Sequence, residues 1–201
     1  MMSFRLVSTW RKAEIKDVVL DLLERARIHR LPVPLYRIVE LRSEWTILTV
    51  DEAREVGIII PALQRGGGYT VELNGQIYVV YDPRAVKGRI RWTLAHELGH
   101  LFLHHSRLDT PLVKEEVEAN YFAREVLMPI AVLDELGART PDQIMRVCNV
   151  SRAAAVSRAS DFGGYHDAYK ARHGYTHQDR QFLKQFAVMF REEYSVELCA
   201  A

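Results

Sequence analysis

The chain has few cysteines: two in 201 residues, Cys148 and Cys199. That does not make a disulfide framework, and the usage fits a reducing cytosol with both thiols inert. No apolar run approaches the roughly 18 residues a membrane-spanning helix needs. A charge excess is missing too: 27 Lys and Arg against 26 Asp and Glu leave a formal net charge of +1. That balance argues against a basic surface spread for nucleic acid or anionic lipid. The first twelve residues lack the apolar core of a signal peptide, and repeats and low-complexity tracts are absent. What remains, 48% hydrophobic and 26% charged, is ordinary for a soluble globular protein with one good core and room for a small module.

Residues 11–29 read as an amphipathic helix with Ile15, Val18, Val19, Leu22, Leu23 and Ala26 on one stripe, stopped by Pro32 and Pro34. Alternation over 36–41 predicts a strand, and the apolar run 57–60 before Pro61 predicts an inner one. Residues 69–81 form two β-rich runs around Asn74-Gly75, the pair a type I′ hairpin turn demands. Gly66-Gly67-Gly68 leads into it; without a following Lys-Ser/Thr and helix start, it is no phosphate cradle. Asp82-Pro83 predicts the opening of a helix running to about His105.

Further helices are expected over 114–128, over 130–136 with Gly137 as C-cap, from Thr140-Pro141 through Val147, from Ser151, and over about 178–194. Gly163-Gly164 breaks the pattern. The fold class is α+β, expected to divide into 1–137, a small twisted sheet packed on the central helix with an N-terminal helix, and 138–201, a helical module.

That central helix carries His96-Glu97-Leu98-Gly99-His100. Residues four apart share a helix face, so His96 and His100 can offer imidazoles to one metal ion, with Glu97 placed to accept a proton from an activated water. Leu94, Leu98, Leu101 and Phe102 recur at helical spacing, and Gly99 is small where another element could cross closely. A working zinc site needs a third protein ligand. The source is the carboxylate cluster Glu115-Glu116-Val117-Glu118 on the next helix, if the two helices pack antiparallel. Glu118 is the expected ligand, because it shares an edge with the inward Ala119, Phe122 and Ala123. Glu115 and Glu116 read as solvated charge near the helix start. His104 and His105 compete less well, His104 as a neighbour of the ligand shell or a helix-end cation. Ser106 stands where a third motif histidine would fall, which excludes that subclass.

The stretch from Arg91 through His104, with Glu118-Ala119-Asn120-Tyr121-Phe122-Ala123 ahead of Leu127-Met128-Pro129, resembles the ImmA/IrrE family of zinc metallopeptidases. The likeness extends to Leu73-Asn74-Gly75 and to 149–154, covering roughly residues 30–165. It implies a minimal zincin-like core followed by a helix-turn-helix-like region. Family members are bacterial or phage proteases, several of which cut helix-turn-helix repressors to switch on stress-response or mobile-element genes. By position, it implies Zn2+ held by His96, His100 and Glu118, with Glu97 catalytic. One departure stands out: Phe122 occupies the place where related enzymes put an acidic residue that orients a histidine, leaving Asn120 as a weak candidate. No single Tyr or His is identified for the transition state among Tyr165, His166, Tyr169, His173, Tyr175 and His177.

The sequence therefore reads as a cytosolic zinc endopeptidase acting on a protein substrate. The rival reading is a non-proteolytic regulator that binds a partner or DNA. Its support is the helical pair 142–162, where Arg152 and Arg158 lie as a recognition helix would carry them, although Ala153-Ala154-Ala155 offers little reach to base edges.

Overall fold

The computed structural model describes residues 7–59, 67–105 and 112–190. Ile60, Pro61, Gly66, residues 106–111, the last part of the expected final helix and Cys199 lie outside them. The chain is α+β, a small sheet with helices around it. Strands β1 (Trp45–Thr49), β2 (Gly68–Leu73) and β3 (Gln76–Tyr81) are ordered β1-β3-β2. β3 runs parallel to β1 and antiparallel to β2. It is central because its Ile77, Val79 and Val80 bury on both faces, as an inner strand's must. Asn74 and Gly75 both take positive φ, 54° and 77°, as the hairpin turn requires.

Helix α1 (Thr9–Arg25) is capped by the Ser8 hydroxyl and buries Ile15, Val19, Leu22 and Leu23. Each such side chain contributes about 1.5–3 kcal/mol by leaving water. Two expected strands are not strands. Residues 35–39 form helix α2 (Leu35–Val39), because Leu35, Ile38 and Val39 sit at i, i+3 and i+4 and bury together. After helix α3 (Val50–Glu55), Gly57 turns at φ 79° and the Ile58 amide returns to the Ala53 carbonyl, closing a Schellman turn. Ile58 is thereby buried, while Ile59 is left 93% exposed.

The motif helix α4 (Lys87–Phe102) starts later than Asp82-Pro83 suggested, since Asp82 is spent accepting from the Arg84 amide and guanidinium in the preceding turn. Helix α5 (Val113–Leu127) crosses it closely: a Cβ at Gly99 would lie 3.1 Å from both Cα and O of Ala119. Behind them follow α6 (Ile130–Glu135), α7 (Pro141–Cys148), α8 (Arg152–Ala159), α9 (Asp167–His173) and α10 (His177–Gln185). Thr140 and Ser151 cap α7 and α8 as their sequence positions suggest. Gly163 sits in a π-turn over Phe162–His166 that separates α8, ended at Ala159, from α9. A 3-10 turn, Ala187–Phe190, follows α10. One hydrophobic cluster joins α1, β3, α4, α5, α7, α8 and α10.

Candidate metal centre

The close α4–α5 crossing brings three groups to one point. His96 Nε2 and His100 Nε2 are 3.1 Å apart, and the Glu116 carboxylate lies 3.5 Å from the first and 3.3 Å from the second. Among the described residues this trio is where metal-ligating atoms converge. Two nitrogens bound at about 2.0–2.1 Å to one tetrahedral zinc would stand roughly 3.3 Å apart, so the spacing fits. The chemistry fits as well. Burial, with His96 beside it, pushes His100 down to about 4, which keeps its ring neutral and its lone pair free. The imidazoles around it, His96 foremost, hold the Glu116 carboxyl below its usual range.

The carboxylate favoured from the sequence, Glu118, is turned elsewhere. It is buried, 3% exposed, but its Oε2 accepts from Arg11 Nε at 2.9 Å and Nη2 at 2.7 Å, and lies 3.2 Å from His105 Nε2. α5 is covered on two sides, by α4 and by α1, so an inward register does not decide which neighbour a side chain meets. Glu116 and Asn120, one turn apart, face the histidines; Glu118 faces α1. Burial of Glu118 opposes its ionisation, but its bonds to Arg11 and His105 outweigh that and hold its carboxyl low.

Asn120 takes the place left open by Phe122. Its Nδ2 donates to the Glu116 carbonyl, which leaves Oδ1 to accept from His96 Nδ1 at 3.2 Å. That bond keeps the His96 proton on Nδ1 and points the Nε2 lone pair at the centre. Glu97 stands beside the pair. Burial raises its pKa, and the Thr70 hydroxyl of β2 donates to its Oε2 at 2.7 Å. Gly68 at the start of β2 makes room for it: a Cβ there would lie 3.1 Å from Glu97 Cγ and 2.5 Å from Thr93 Cγ2.

His104, weighed as a neighbour of the ligands, is exposed at φ 55°; His105 is the one that reaches His100. Thr70 and Arg11 carry no local signal, and His105 reads only as a competing ligand, because their roles arise from a strand, a helix and a turn meeting the motif. His166 and Tyr175 gather on Asp134 instead, with Arg139 and Lys170. Tyr169 and His173 pair with each other on α9, their rings 4.9 Å apart. Arg158 does not line a DNA-facing surface: it is 3% exposed, donating to Glu125 at 2.9 Å and to the Met128 carbonyl. Arg152 is exposed and pairs with Asp142. The Cys148 thiol is buried and pushed up to about 12, which leaves it inert.

A helix presenting two imidazoles and a glutamate, crossed by a second carboxylate-bearing helix under a small sheet, defines a metallopeptidase-like protein. Residues 62–160 match the Peptidase_M78 family, described as the IrrE N-terminal-like domain, so over this stretch the chain is similar to ImmA/IrrE family metallopeptidases. No curated protein matches it. No helix among the described residues is long and apolar enough to cross a membrane.

Proposed function

We propose that the chain is a zinc-dependent endopeptidase acting on a cytosolic protein, with His96, His100 and Glu116 holding the metal and Glu97 serving as catalytic base. The observation that carries this reading is the convergence of two imidazole nitrogens and a carboxylate beside a buried glutamate. A zinc ion held by these residues would supply Lewis acidity, lowering the pKa of a water towards about 7 and polarising a carbonyl. Glu97 takes the water's proton as the oxygen adds to the scissile carbon, then returns it to the amine nitrogen as the C–N bond breaks. Burial makes Glu97 a stronger proton acceptor than a solvated glutamate, and Thr70 fixes which carboxylate oxygen is free.

β2 is the sheet edge nearest this carboxylate, and an extended substrate segment adding to that edge would run past Glu97. From the family resemblance, the substrate is a helix-turn-helix repressor, and the helical region from residue 138 onward positions it. DNA readout by that region is disfavoured by the burial of Arg158.

The test is digestion of a purified helix-turn-helix repressor encoded beside this chain, read by mass spectrometry of the fragments. The parent should cleave it and a zinc chelator should stop cleavage. Glu97→Gln should keep its zinc yet lose at least 100-fold in rate, the usual scale of general-base catalysis. Undiminished cleavage by Glu97→Gln would overturn the mechanism.

A further inference from the structure

α4 ends in a turn that folds its last residues back over the metal-site face. His104 takes φ 55°, the His104 amide returns to the Leu101 carbonyl, and the His105 amide returns to the His100 carbonyl at 3.0 Å. This is a Schellman closure made without glycine, and a non-glycine residue there is uncommon. In such a closure the residue after the left-handed position usually makes an apolar contact back onto the helix. Here that contact is between imidazoles: the His105 and His100 rings lie edge to face, with centroids 5.0 Å apart and Nδ1 atoms 3.1 Å apart.

The direction of these bonds follows from their far end. Arg11 Nε and Nη2 both donate to Glu118 Oε2, so that carboxylate is ionised and acts only as an acceptor. His105 Nε2, 3.2 Å from the same oxygen, therefore carries a proton. In the neutral ring His105 Nδ1 is then bare and accepts, so the proton between the two rings belongs to His100 Nδ1. With Nδ1 protonated, His100 presents a bare Nε2 towards His96 and Glu116. Asn120 fixes His96 in the same sense from the other side.

We propose that Arg11, Glu118 and His105 form a positioning relay that holds His100 as a metal ligand, so that α1, which lies outside the family-matched stretch, is part of the metal centre. The proposal rests on His96, His100 and Glu116 forming that centre. It gives the buried Glu118 a task without making it a ligand. It also accounts for a left-handed residue at the end of the motif helix: only that turn brings His105 back over His100. Groups supporting a ligand in this way typically change metal affinity 10–100-fold when removed.

The test is zinc affinity by competition with a chromophoric chelator on the full chain, alongside unfolding of each metal-free variant. His105→Ala should bind zinc about 10–100-fold more weakly. His105→Asn should recover most of that loss, because its Oδ1 stands where Nδ1 stood and still accepts from His100. Arg11→Gln should weaken zinc several-fold, and adding it to His105→Ala should weaken zinc little further, since both break one chain. His104→Gly should leave affinity unchanged, as the turn is kept and the exposed ring does nothing. Parent-like affinity in His105→Ala, no recovery in His105→Asn, or full additivity with Arg11→Gln would each overturn the relay. A parent that binds no zinc would instead overturn the centre itself.

Discussion

Gly99→Ala tests whether the α4–α5 crossing sets the site. In an exposed helix interior this change stabilises by about 1 kcal/mol, because alanine is the better helix former. Here the new Cβ would lie 3.1 Å from the Ala119 Cα, 3.1 Å from its carbonyl oxygen and 3.2 Å from Phe122 Cδ1. Two of these are backbone atoms of a buried helix and cannot swing aside as a side-chain tip would. Overpacking of that kind costs about 1–3 kcal/mol. The packing term wins on balance, so we expect a net loss of about 1 kcal/mol, or roughly 2–4 °C in Tm for a chain of this size. α5 must shift by a few tenths of an ångström, and it carries Glu116, so zinc affinity should fall in the same variant. The assays are denaturant unfolding of the metal-free protein and chelator competition. A variant stabilised by about 1 kcal/mol with parent-like zinc affinity would show that the helices are not in close contact at Gly99.

Two further outcomes follow from buried charges away from the centre. Arg158→Ala leaves Glu125 buried without its partner and should destabilise by about 3–5 kcal/mol, whereas exposed Arg152→Ala should stay within about 0.5 kcal/mol in the same urea titration. Equal small effects would mean that Arg158 is solvent-facing. Asp134 is buried, which opposes its ionisation, but Lys170, Tyr175, Arg139 and His166 outweigh that and depress its pKa. A depressed carboxyl stabilises above its unfolded pKa, about 3.9, and loses that contribution as pH falls through the folded value. Asp134→Asn should therefore be less stable than the parent at pH 7 by about 2–4 kcal/mol, with the gap closing below about pH 4. A gap independent of pH would rule out the carboxylate's charge as its source.

Much of the architecture was legible because its signals are local. Asn74-Gly75 names its turn, Thr140 and Ser151 name their caps, and His-Glu-x-x-His implies a helix with two ligands on one face. The misread stretches had two admissible periods. Leu35, Ile38 and Val39 satisfy a helix as well as a strand, and Ile58 follows a glycine that closes a helix instead of opening a strand. β1 went unread because its apolar and polar residues do not alternate with burial: all five are half-buried. The choice between Glu116 and Glu118 was beyond pattern reading, since α5 has two covered sides and periodicity says only that a residue is covered. Arg11 meets Glu118 across 107 positions of sequence, and only the tertiary fold makes them neighbours.

The central claim is that His96, His100 and Glu116 hold a metal. Its most direct test is an anomalous difference map, collected across the zinc absorption edge, from crystals of the full chain grown with zinc. We predict one strong peak about 2.0–2.2 Å from His96 Nε2, His100 Nε2 and a Glu116 oxygen, with Glu118 still bound to Arg11. A peak with Glu118 in its coordination sphere, or no peak between the two histidines, would contradict it.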